Sequence, residues 1–263
     1  MNIVVCVKQV PDTASKINVK EGIVDTEGLE SVINPYDEYA IEEALLIKER
    51  LGEGKVTVIT VGPERAKDAL KSGLALGADE AIHLIDEAFK GSDPYATALL
   101  LAKALEKINY DIIFCGKQGV DEDHAQVGIA LAELLDLPHV SVIVKLDISE
   151  DGKRAIAHRE VEGGKEVIET SLPAVFTAQK GLNEPRYPSL RGIMAVKKKT
   201  IAEWGAQELG VSPQEVGREA AKIKMVEAMT PPGREAGKVF QGEEPGEMAR
   251  KVAHLLQDEA KIL

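Results

Sequence analysis

Apolar positions recur along the first half of the chain in two alternating rhythms. Residues 3–7 form an unbroken, mostly β-branched run, and residues 38–50 then carry a helical stripe of Ile41, Ala44, Leu45 and Ile47. The same exchange predicts a strand over 55–61, a helix over 65–76, a strand over 80–84 and a helix over 94–108. A strand over 110–115 and a helix over 123–135 complete the series. Continuous apolar strands separated by amphipathic helices imply a parallel sheet covered on both faces. The rhythm then changes. Residues 140–146, 155–161 and 166–170 alternate apolar and polar positions, with two glycines at 163–164 between the last two, which predicts a β-hairpin. Residues 172–178 are a further β-branched run. Past residue 181 the pattern loosens into a loop, a short helix over 201–209, a polar stretch containing MTPPGREAG, and a final helix over 245–261. The expected architecture is α/β: a doubly wound, mostly parallel sheet with an antiparallel hairpin addition and an extended C-terminal arm. Residues 1–180 form the α/β domain and residues 181–263 the arm.

Composition narrows the classes of function. With 44% hydrophobic and 29% charged residues over 263 positions, the chain is expected to bury a substantial core. A net charge of -12 argues against nucleic-acid binding, which needs a basic face. The apolar runs fall short of the ~20 residues that cross a bilayer, so no membrane span is expected. No secretory pattern opens the chain, and Cys6 and Cys115 sit inside apolar runs as buried thiols rather than a disulfide pair. Both features lead to a cytoplasmic expectation.

Catalytic groups are scarce. The histidines (His83, His124, His139, His158, His254) form no ligand pair, and neither a CxxC, a GxSxG elbow, a phosphate-loop lysine motif nor GxGxxG is present. Three strand-to-helix junctions nevertheless invite a ligand. The segment CGKQGVDEDHAQVG, 115–128, offers Gly116 and Gly119 for close backbone approach and a helix start for an anion. Its acids Asp121, Glu122 and Asp123 oppose a phosphate unless they cap the helix or hold ribose hydroxyls. A nucleotide loop and a plain capping turn both fit it. In INPYDEYAIEEAL, Asp37 can cap the helix it begins, and taken alone that capping suffices. In TVGPERA, Gly62-Pro63 turns strand into helix. The strand ends at 6–8, 61–62 and 115–118 fall on one sheet edge, where doubly wound folds bind ligands, and this favours a nucleotide.

The segment GLNEPRYPSLRGIMAVKKK, 181–199, gathers Arg186, Arg191, Lys197, Lys198 and Lys199 against one acid, Glu184. Pro185 and Pro188 stiffen it, and Leu190 is a large apolar group among small polar ones. A solvated loop and a docking handle both fit this composition.

Several long motifs, in order, resemble the β subunit of electron transfer flavoprotein. They are AHREVEGGKEVIETSLPAVFTA at 157–178, LNEPRYPSL followed by GIM and KKK, VKQVPDT, INPYDEYAIEEAL and ALGAD. The resemblance implies a Rossmann-like sheet of the adenine-nucleotide-binding type and a heterodimer with an α subunit that holds most of the FAD. It also implies a structural AMP in this chain and no enzymatic activity of its own. Electrons are then expected to pass from acyl-CoA dehydrogenases of fatty acid oxidation, and other flavoprotein dehydrogenases, towards the respiratory chain. The expected acceptor is the electron transfer flavoprotein-quinone oxidoreductase. The implied AMP pocket comprises Cys6, Asn34, Pro35, Tyr36, Asp37, Val61, Gly116, Lys117, Gln118, Gly119, Val120, Asp121, Glu122, Asp123, His124, Ala125, Gln126 and Val127. The family often has Asn-Gln-Thr where Ala125-Gln126-Val127 stands here. Members that bifurcate electrons hold a second FAD in that pocket and match this loop better, which leaves a second FAD as the alternative to AMP. Thr13 is expected to face the FAD ring, Glu160 to lie near the flavin, and Leu190 to anchor the dehydrogenases. Outside the family, a universal-stress-type nucleotide-binding protein shares the sheet without needing the arm. A nucleotide-dependent transferase needs a base near the loop, for which His124 and the acids offer themselves.

Overall fold

The computed structural model describes residues 1–233 and 236–262. Its centre is a sheet of nine strands. Strand β1 (Asn2–Cys6) lies in the middle, flanked by β6 (Lys55–Val61) and β8 (Ile112–Gly116), both parallel to it. Beyond β6 come β7 (Glu80–Leu84) and β13 (Ile201–Trp204); beyond β8 come β12 (Ala174–Ala178) and β9 (His139–Ile148), all parallel. The hairpin β10 (Arg154–Val161) and β11 (Gly164–Ser171) closes that edge antiparallel to β9, its turn made by Glu162 and Gly163 with Gly163 at φ 81°. Two small ribbons, β2 (Gln9–Pro11) with β5 (Ser31–Ile33) and β3 (Asn18–Lys20) with β4 (Ile23–Asp25), fill the connection from β1 to the first helix, where the sequence pattern predicts no element.

Successive side chains of β1 feed opposite cores. Ile3 and Val5 pack with Ile41 and Leu45 of helix α1 (Pro35–Leu51) and Leu70 and Leu74 of α2 (Lys67–Leu76). Val4 and Cys6 pack with Leu100 and Leu101 of α3 (Pro94–Leu105) and Leu131 of α4 (Val127–Leu134). Burial on both faces is why the strands read as unbroken apolar runs. Helix α1 has a proline in its first turn, acids Asp37 and Glu38 at its positive end, and Gly52 at φ 71° closing it onto the Lys48 and Glu49 carbonyls. In α3, Asp93 accepts the Ala96 N–H at 2.8 Å.

Two expectations were displaced. Helix α4 begins at Val127 rather than 123, because Asp123 and Ala125 both adopt φ 53°, a left-handed backbone that a helix cannot contain. Residues 201–204 are a strand, not helix, and only α6 (Ala206–Leu209) is helical in that stretch. The open edge of β7 supplies the hydrogen-bonding partners, pairing Ile201 with Ala81 through Trp204 with Leu84, and this outweighs local helix propensity. The sheet therefore recruits chain from beyond residue 181. Helix α5 (Leu190–Val196) precedes that strand, and α7 (Gly217–Ala220) is held by the Arg218 N–H on the Lys90 carbonyl. The last helix, α8 (Pro245–Asp258), has no buried residue. None of the described helices is long and apolar enough to cross a membrane.

Candidate functional site

The chain leaves β1 towards β6 on one side and returns to β8 on the other, so the crevice between the C-terminal ends of β1 and β8 is the topological switch point. Cys6 and Cys115 are in-register neighbours at its floor, both free and buried. The adjacent Cys6 thiol and then burial push the Cys115 thiol well above its usual range, which leaves it an inert packing group. Thr60 ties the floor to β6 by donating its hydroxyl to the Val7 carbonyl at 2.7 Å, and Val61 ends that strand.

Asp37 and Asn34 form the hub of the crevice. The Asp37 carboxylate accepts the Lys8 N–H at 2.6 Å, the Gly116 N–H at 3.1 Å and the Asn34 side-chain amide at 2.8 Å. Asn34 also donates to the Gln118 carbonyl at 2.9 Å and accepts the Val120 N–H at 3.2 Å. One acid and one amide at the start of α1 thus latch the ends of β1 and β8 to the loop that follows. Both are almost fully buried. Burial pushes the Asp37 carboxyl up from 3.8 to about 7, against the three N–H donors, which favour its charge. Capping, sufficient for Asp37 when the segment is read alone, is not its role here: α1 has no side-chain N-cap bond, and Asp37 spends its oxygens across the sheet.

The following loop disposes of its own acids. Lys8 extends its ammonium to Asp121 at 2.8 Å and Glu122 at 3.0 Å, and Gln118 donates to Asp123. Burial lowers the Lys8 pKa, but the two carboxylates outweigh it and leave the value raised, so the charge is held. Lys117 stacks its ammonium 4.8 Å from the Tyr36 ring centre. Gln126, at the N-cap of α4, makes no side-chain bond to the helix start, so that end remains available to an anion. His124 is exposed and has Glu122 at 3.7 Å.

Two glycines are set by contact distance. A Cβ on Gly116 falls 2.2 Å from the Asp37 carboxylate and 2.8 Å from the Tyr36 Cβ. On Gly128 it falls 2.7 Å from Thr177, where α4 presses onto β12. The sequence put Lys8 on the ligand edge and Gly128 at the end of the 115–128 loop, but gave neither its role. A lysine immediately after the first strand and opposite an acid run was the available signal for Lys8. Gly128 carried none, since only the packed sheet shows what it approaches.

Of the remaining expected residues, Thr13 lies in an exposed turn after β2, and Glu160 is on β10 beside Lys165 at 3.6 Å. Neither touches the crevice latch. Leu190 is 82% exposed and opens α5, with Ser189 capping the helix by accepting the Gly192 N–H at 3.0 Å. Tyr187 and Met194 beside it are exposed as well. Two of the five cations in this segment are engaged internally: Arg186 with Glu42 and Glu49, and Lys199 with the Ala78 carbonyl. No cluster of metal-binding side chains occurs among the described residues. A separate cavity of about 240 Å³ lies at the N-terminal end of the strands, among Asn2, Lys55, Thr57 and Lys107, remote from the latch.

Residues 21–209 match the family described as electron transfer flavoprotein domain. The electron transfer flavoprotein subunit beta of Thermoanaerobacterium thermosaccharolyticum is 48% identical over 244 residues, covering 92% of this chain and 93% of its own. That of Bacillus subtilis is 43% identical over the whole of both chains. The caffeyl-CoA reductase-Etf complex subunit CarD of Acetobacterium woodii is 40% identical over 98% of each chain. Matched by the family over residues 21–209 and by these relatives along nearly its full length, the chain belongs to the electron transfer flavoprotein family as a β subunit, an electron carrier rather than an enzyme.

Proposed function

We propose that this β subunit pairs with an α subunit that holds FAD, and that its own crevice holds one AMP as a structural ligand. Electrons pass from flavoprotein dehydrogenases, acyl-CoA dehydrogenases among them, to the respiratory chain through the quinone oxidoreductase of the same system. The observation that carries the reading is the buried Asn34–Asp37 latch. It fixes the Gly116–Val120 backbone beside a helix start without a side-chain cap, while Lys8 and Gln118 draw the acids into loop contacts. The phosphate fits the α4 end, where Gln126, Val127 and Gly128 supply the chain, and the absence of a Cβ at Gly116 lets Asp37 and Tyr36 close on the end of β8 beneath it. The flavin supplies the redox chemistry when bound. This chain's part is to bind, to orient and to present a docking surface. Thr13 and Glu160, both exposed, are the candidates to face that flavin. The apolar stripe of α8 supports a C-terminal arm that closes on the α subunit.

A second reading has a specific observation behind it. CarD belongs to a caffeyl-CoA reductase-Etf complex, and Ala125 and Val127 lack the polar side chains that would contact AMP. Release of ligands from the co-expressed heterodimer by denaturation, followed by mass identification, tests both. One FAD and one AMP per heterodimer support the proposal; two FAD and no AMP establish the bifurcating alternative.

A further inference from the structure

Three acids on α1, Glu42, Glu43 and Glu49, face the segment that carries the exposed Tyr187 and Leu190. Glu42 and Glu49 are two helical turns apart, which puts them on one face. Arg186 lies against both. Its Nε and Nη2 donate to the Glu42 carboxylate at 2.8 and 2.9 Å, and its Nη1 and Nη2 to Glu49 at 2.6 and 3.0 Å. Its backbone N–H adds a bond to Glu42 at 3.1 Å. Three residues earlier, the Asn183 amide donates to Glu43 and to the Tyr39 carbonyl, both at 3.0 Å. The Glu42 side chain is only 7% exposed, so solvent screens this pair far less than an ordinary surface ion pair.

The segment is fastened again on its far side. A Cβ on Gly192 would meet the Ala75 carbonyl at 2.2 Å, so α5 lies directly on α2, and Lys199 reaches the Ala78 carbonyl. Residues 184–189 contain no helix or strand, and Pro185 and Pro188 deny them two backbone donors. Tyr187, and the turn by which the chain enters α5 at Leu190, stand between the Arg186 fork on α1 and the seat of α5 on α2.

We propose that Arg186, clamped between Glu42 and Glu49, is the positioning residue that holds the 187–194 surface ready for the dehydrogenase. The proposal rests on the reading of that surface as the docking site. The guanidinium is consumed in this task, so it lends no charge to steering, which falls to Arg191, Lys197 and Lys198 on the exposed side. A lysine cannot replace it. One compact ammonium cannot make a forked bond to one carboxylate and reach a second two turns away. Docking onto a disordered segment requires ordering at the moment of contact, so loss of the clamp weakens encounter without altering the transfer step.

The test uses the co-expressed heterodimer carrying Arg186→Gln, Arg186→Lys or, as a milder variant at an exposed acid, Glu49→Gln. Amide exchange over residues 184–194 is followed together with kcat and KM for reduction by an acyl-CoA dehydrogenase, and thermal melting confirms folding. Both Arg186 variants are expected to exchange roughly tenfold faster in this segment, and Glu49→Gln less so. The KM for the dehydrogenase rises about fivefold to tenfold with kcat nearly unchanged, and lysine does not rescue it. Unchanged exchange in Arg186→Gln overturns the clamp whatever the dehydrogenase does. Faster exchange with unchanged KM overturns its role in positioning, provided Leu190→Ala raises KM in parallel. If Leu190→Ala also leaves KM unchanged, the docking reading falls, and the proposed role falls with it.

Discussion

Replacing Gly116 by alanine attacks the latch with a single methyl group. The Cβ would stand 2.2 Å from the Asp37 carboxylate and 2.8 Å from the Tyr36 Cβ, against an ordinary contact of about 3.5–4.0 Å. Relief requires the first turn of α1 to move away from β8 by more than an ångström. The Gly116 N–H to Asp37 bond, 3.1 Å long, cannot survive that displacement. Asn34 moves with the same turn, so its two bonds to the 118–120 backbone are strained as well. Overpacking costs about 1–3 kcal/mol, and leaving the Gly116 N–H without its partner adds about 1–3 kcal/mol. Partial relaxation places the sum near 3 kcal/mol, or a Tm lower by roughly 6–12 °C for a chain of this size. Differential scanning calorimetry of the heterodimer checks the stability, and ligand extraction should show AMP well below one per heterodimer. A Gly116→Ala protein with wild-type Tm and a full complement of nucleotide would refute the contact argument and the role given to the latch.

Asp37 should leave a signature in pH. Its pKa is raised by burial from 3.8 to about 7, so the folded state holds the proton more tightly than the unfolded one. Its contribution to stability is full below about 4 and lost as pH rises through about 7. Urea unfolding of wild type and Asp37→Asn at pH 5 and pH 8 should show the difference between them moving against the wild type as pH rises; the opposite trend contradicts the assignment. Ala125 holds φ 53°, a conformation glycine adopts freely, so Ala125→Gly should stabilise the protein by roughly 0.5–1 kcal/mol in the same assay, and a loss would show the strain to be absent. Phe114 and Phe176 are fully buried with ring centres 5.8 Å apart, and Phe114→Ala should destabilise by about 3–5 kcal/mol in urea. Removing residues 232–263 deletes a helix without a fully buried residue, so the α/β body should keep its circular dichroism and melt while pairing with the α subunit is lost; pairing at full affinity would mean that the arm is dispensable.

The rhythm of apolar positions by itself determined the order of the nine-stranded sheet's elements from β1 to β12, though not the ribbons β2–β5, and the doubly wound class. It could do so because a strand buried on both faces needs side chains such as those of 3–7 and 112–115, and few other structures tolerate them. Gly116, Asn34 and Asp37 were legible as candidates because turn and cap residues have restricted uses. Their joint task was not. The bonds from Asp37 to Lys8 and Gly116 span 29 and 79 residues, and nothing in a local window reports that distance. The delayed start of α4 is set by two left-handed residues, Asp123 and Ala125, which no propensity favours in alanine. Ile201–Trp204 is a strand only because β7 had an unpaired edge at the right height. Arg186 read as one of five gathered cations until the fold brought α1, some 140 residues earlier in the chain, against it. Local pattern is carried by neighbours along the chain, whereas partners across the sheet are chosen by packing, which exists only once the chain is folded.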